Sequence, residues 1–297
     1  MLMHMLSKDN NLYEIPGIVA NSVIPSFTNL TFLFMTVSAF GMCIGYYEKV
    51  IEGKINLLDF YKKRYFKILP FFSLVVLIDV IYNHNLNSII EAVPNLTLTR
   101  GLFPNNIGQI GVAWFLGLIF VFYMIFPFFC VLLSSKKSAW ITFLITILLN
   151  YIVSQFYSVG RENFVYSAMF FVVGGLVYLY RDSIERKLYV WLPFVVASVV
   201  FYYLVGGVYA CLLVSTALLI LAISIKIKKN KIIAFLSGIS MEVFLCHMVM
   251  FRVVEKVNLN TFFGNGWLQY TITCVLVSVG AGCFAFVSKK IFEKIGL

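Results

Sequence analysis

Few side chains in this sequence are able to do chemistry. The histidines are His4, His84 and His247. A neutral imidazole is the natural general base near pH 7. His4 sits in an apolar opening, MLMHMLSKDN, and is the candidate base. His84 lies in the polar stretch YNHNLN and reads as a loop residue. His247 lies late in an apolar run, SGISMEVFLCHMVMF, where a hydrogen-bonded core histidine and a functional one are both open readings. The densest charge is in DFYKKRYFKILPFF, Asp59 to Phe72. Arg64 and Lys67 are three apart there and share one helix face. An Arg fork beside a Lys point charge suits a phosphate-bearing ligand. Juxtamembrane anchoring on anionic lipid is the other reading. Asp79 and Glu242 are carboxylates inside apolar runs, either proton carriers or satisfied polar contacts. Trp114 falls where an interfacial aromatic belt is expected, with Tyr123 deeper on the same helix.

The elements that must hold these groups are read from composition. Of the 297 residues, 61% are hydrophobic and 12% charged, and the mean hydropathy is +0.92. Soluble domains run at about 45–50% apolar and about 25% charged. A soluble fold of this length cannot bury so much apolar side chain, so a soluble enzyme and a nucleic-acid-binding module are excluded. The expected fold is all-α, a polytopic transmembrane bundle forming a single domain over 1–297. Nine stretches approach the ~20 apolar residues that a span needs: about 27–46, 68–83, 113–133, 139–157, 164–180, 191–205, 208–225, 236–251 and 267–287. The segments 68–83 and 236–251 read as short. Gly206-Gly207 predicts a tight hairpin between two spans. The apolar opening around His4 reads as the end of a further, truncated first span, or as a tail lying at the interface.

The chain carries 23 Lys and Arg against 13 Asp and Glu, a net charge of +10. All of these cations except Lys8, Arg100, Arg161, Arg252 and Lys256 fall in alternate loops and the C-terminal tail. The positive-inside rule then predicts a multi-pass cell-membrane protein with a cytoplasmic C-terminus. The six cysteines form no C-x-x-C pair and read as packing residues, with no metal site expected. No Walker loop, dinucleotide fingerprint or G-x-S-x-G motif occurs.

In order along the chain, His4, LFMTVSAF (Leu33–Phe40), RYFKILP (Arg64–Pro70), WFLGLIFVFYMIFP (Trp114–Pro127), FFVVGGLVYLY (Phe170–Tyr180) and ISMEVFLCH (Ile239–His247) resemble the motifs of the integral-membrane acyltransferase family 3. That family includes O-acetyltransferases of surface polysaccharides. The similarity spans essentially the whole chain. Departures are Lys67 for a second Arg, Ala39 for Gly, Ile119 for a frequent Glu and Met241 for Tyr. An Arg expected upstream of His4 falls before residue 1. The resemblance implies acetyl-CoA as cytoplasmic acyl donor and a hydroxyl of a cell-surface or lipid-linked glycan as acceptor. It implies His4 as catalytic base, Arg64 and Lys67 as donor-binding cations, and Ser38, Trp114, Tyr123, Ser240 and His247 as pocket residues. Expected partners are membrane lipid, the glycan acceptor and glycan-assembly proteins, with no nucleic acid. A glycan or lipid transporter, and a catalytically inactive truncated relative, are the alternatives on the same span count.

Overall fold

The computed structural model describes residues 17–102, 113–184, 188–225, 230–264 and 266–294, and among these every regular element is a helix. The helices are α1 (Val19–Ile51), α2 (Leu57–Asn83), α3 (Leu86–Leu96), α4 (Ala113–Leu132), α5 (Lys136–Phe156), α6 (Phe164–Leu179), α7 (Leu188–Val205), α8 (Gly207–Ser224), α9 (Lys231–Lys256) and α10 (Trp267–Lys294). Eight are long and apolar enough to cross a membrane, and α6 is a shorter apolar helix of 16 residues. The chain is a polytopic membrane bundle, and the nine expected apolar stretches all lie in helices. His4 falls outside the described residues.

Two spans that read as short are among the longest. α2 has 27 residues and α9 has 26. Their apolar runs stop early, but the helices continue through the basic residues. Lys and Arg favour helix and can lay their stems along it while the charge reaches water. Asparagine caps fix both starts. Asn56 accepts from the Leu58 and Asp59 amides at 3.0 and 3.2 Å, and Asn230 accepts from the Ile232 amide at 2.8 Å. At its far end α2 stops at His84, which is exposed and takes a left-handed conformation, φ 47°. The sequence reading missed α3, an eleven-residue amphipathic helix started by Asn85. The expected hairpin is present, with Gly206 at φ 70° between α7 and α8.

The core is organised around α6, the shortest of the nine. At ~1.5 Å per residue it covers about 24 Å, less than the ~30 Å hydrocarbon layer. It works because protein surrounds it: Met169 to Tyr178 are all buried. α6 packs against α5, α1, α8 and α4. Phe170 stacks on Phe32 of α1 at 4.1 Å, and Phe171 stacks on Phe122 of α4 at 4.5 Å. Adjacent glycines face different neighbours. A Cβ on Gly174 would overlap the Thr36 carbonyl and Ala39 of α1, and one on Gly175 would overlap Phe129 of α4 and Leu133 just after it. Small residues at such contacts let helix backbones approach closely in lipid, where no hydrophobic force drives them together. The buried cysteines Cys43, Cys130 and Cys211 fill space in this body as free thiols.

α9 and α10 pack mainly on each other, and they meet the rest chiefly through α2. α2 is held to the body at its basic end. Phe60 stacks on Phe126 at 5.8 Å, and Tyr61 donates to the Met124 carbonyl at 2.9 Å. The space between this wall and the body is where the site lies.

Candidate active site

Arg64 stands two turns into α2, at the lysine-rich end of the bundle. Its guanidinium lies 4.7 Å from the Tyr46 ring centroid and 5.7 Å from that of Tyr123. Its Nε is buried and, among the described residues, has no hydrogen-bond partner. A desolvated guanidinium held by aromatic faces keeps its donors available for an anion. Arg64 and Lys67, one turn on, line the same cavity of about 530 Å³. The other walls come from Tyr123 of α4, Ser240 and Glu242 of α9, and Lys289 and Glu293 of α10. Lys289 also donates to the Gly238 carbonyl at 2.9 Å, which ties α10 to α9. Three cations therefore face two carboxylates around one opening.

At the inner end the Tyr123 and Ser38 hydroxyls are 3.1 Å apart and join α4 to α1. Ser38 belongs to a second, apolar cleft of about 180 Å³, which shares Ser240 and Met241 with the first cavity. Four of the expected residues on α2, α4 and α9 (Arg64, Lys67, Tyr123 and Ser240) thus meet in one cavity, and Ser38 of α1 touches it through Tyr123.

Two expected pocket residues stand elsewhere. His247 is buried in α9 with Nδ1 2.6 Å from the Phe244 carbonyl, and it lines neither cavity. Trp114 is buried instead of sitting in a lipid-facing belt, and Arg161 covers its ring at 5.1 Å. It is about 13 Å from Tyr123 along α4. Beside it, in the turn before α6, Glu162 has its carboxyl pushed up by burial, against the pull of Arg100 and Arg161.

The two intramembrane carboxylates have separate fates. Glu242 lines the basic cavity. Asp79 is buried and accepts from the part-buried Arg252 at 2.6 Å, an ion pair joining the far ends of α2 and α9. Sequence reasoning missed Lys289, Glu293 and Tyr46. Lys289 was counted only as tail charge, and nothing local marks Tyr46 as the platform for Arg64.

Comparison of the chain with curated proteins and with solved structures returned no match. The family model described as an acyltransferase domain matches residues 11–286, nearly the whole chain, including the cavity residues of α2, α4 and α9; Lys289 and Glu293 of α10 lie just beyond the match. This chain therefore belongs to the acyltransferase family 3 of membrane proteins.

Proposed function

We propose that this membrane acyltransferase takes its acyl group, acetyl being the expected one, from acyl-CoA and transfers it to a hydroxyl of a cell-surface or lipid-linked glycan. The observation that carries the reading is the convergence of Arg64, Lys67 and Lys289 on one cavity that ends at the Tyr123–Ser38 hydroxyl pair. The cations suit the donor's phosphates, and Arg64 offers an unpaired N–H in a partly desolvated setting. The positive-inside bias of the loops supports a cytoplasmic mouth for this cavity, on the side where acyl-CoA is found.

In the reaction the acceptor oxygen attacks the thioester carbonyl. The new C–O ester bond forms as the C–S bond breaks. The hydroxyl proton passes to a base, for which His4 is the expected residue, and then to the departing CoA thiolate. A positioned base contributes about 10²–10⁴-fold. The Tyr123 hydroxyl is placed to donate to the carbonyl oxygen as negative charge develops there.

The test is mass spectrometry of the surface glycan from cells with and without the gene, and with Arg64→Ala at equal expression. Loss of one acetyl mass per modified sugar in both is the expected result. An unchanged glycan in the deletion strain refutes the reading.

A further inference from the structure

The apolar cleft beyond the hydroxyl pair is not needed to hold CoA phosphates, and its position gives it a use. Resting on the donor reading above, we propose that this cleft seats the donor's acyl chain. Val37, Ile119 and Phe244 then set its length, and chains of several carbons are accommodated as well as acetyl.

Three helices carry the argument, because each loses polarity in the same direction. On α4, Tyr123, Ile119 and Phe115 follow at successive i−4 steps and so form one line, running from the basic cavity into the apolar cleft. On α9 the same path passes from Ser237 and Gly238 through Ser240 and Met241 to Phe244. On α1 it passes from Ser38 to Phe34, one turn back. The rings close the far end, with Phe244 5.4 Å from Phe115 and 6.1 Å from Phe34.

An acyl thioester has the same order of parts: anionic phosphates, a polar carbonyl, then hydrocarbon. With phosphates at Arg64 and the carbonyl at Tyr123, the chain has to run toward Ile119. The cleft holds about 180 Å³, and about 10–15 Å³ of such space is enough for one water-sized group. A single methyl leaves most of it empty. Val37 is 45% exposed at the lip, so the cleft can be plugged there without disturbing the core.

The test uses the full chain in nanodiscs, with empty nanodiscs to subtract partitioning. Affinities are measured for acetyl-CoA and hexanoyl-CoA. Hexanoyl-CoA is expected to bind about tenfold tighter or more, since buried methylenes each add affinity. Val37→Trp should abolish that gain while acetyl-CoA affinity holds. Phe244→Ala should move the preference toward octanoyl-CoA, a second readout independent of the plug. Equal affinities for the two esters, or a gain that survives Val37→Trp with no shift toward octanoyl-CoA in Phe244→Ala, overturns the acyl-chain assignment and leaves the donor reading standing. If neither ester binds, both fall.

Discussion

The helices around α6 and the wall of α2, α9 and α10 are stabilised by different means. Around α6 the contacts are dry and close: glycines at the crossings, phenylalanines stacked in pairs, a helix buried almost throughout. The wall lines a cavity with charged side chains and touches the body at fewer places. A charged contact, Asp79 with Arg252, clamps α2 to α9 at the far end. At the near end the charges stay open to a cavity. Packing holds the body together, and the wall is left free to present cations. The proposed phosphorylated donor is large, and a site for it belongs in the second kind of region, since a tightly filled interior offers no room.

The largest effect should come from breaking the clamp. Asp79→Ala leaves the Arg252 guanidinium, 18% exposed, without its carboxylate, a cost of about 3–4 kcal/mol, toward the lower end for a broken buried pair. Thermal unfolding in detergent should show a large drop in melting temperature, and Asp79→Leu combined with Arg252→Met should recover most of it. If the single substitution leaves the melting temperature where it was, the wall is held by something else. Next comes the body. Gly174→Val drives a branched side chain into the Thr36 backbone, and its cost should reach about 3 kcal/mol, the upper end for overpacking. The check is the yield of monodisperse protein on size exclusion, which should fall sharply, whereas the same change at Gly41, whose Cβ meets open space, should be mild.

Arg64→Ala loses its ring contacts with Tyr46 and Tyr123, worth about 0.5–1 kcal/mol each, so it should lower the melting temperature only modestly, yet it should weaken donor binding about tenfold or more. Arg64→Lys should restore only part of this, since a point charge lacks the fork. The smallest effect is Tyr123→Phe. It removes one hydroxyl contact to Ser38, worth about 1 kcal/mol. Its sharper signature is kinetic: a fall in kcat larger than any rise in KM, if Tyr123 donates to the reacting carbonyl.

The body was easy to read from sequence and the wall was not, for a physical reason. Apolar runs near twenty residues announce spans directly, and Gly206-Gly207 announces a turn, because each depends on local chain properties. Helix α3 escaped because eleven amphipathic residues with a proline resemble a loop on any span criterion. The ends of α2 and α9 escaped because hydropathy stops at the membrane surface while the helix continues. Arg64 and Lys67 were visible as a pair on one helix face. Of their partners, Tyr123 came only through the family resemblance, and Tyr46 and Lys289, on two further helices, did not show. Asp79 and Arg252 lie 173 residues apart, and their pairing depends on how α2 and α9 cross. Helical packing brings such groups together, and no spacing rule reports it.

The central claim is that the cavity between α2, α4, α9 and α10 holds the donor's phosphates. Its most direct test is the affinity of the purified full chain for CoA itself, without an acyl group, compared between the native protein and Arg64→Ala across a range of salt concentrations. The account predicts salt-sensitive binding that weakens about tenfold or more in a variant that stays folded, with only a modest fall in melting temperature. Equal affinity in the two proteins contradicts it.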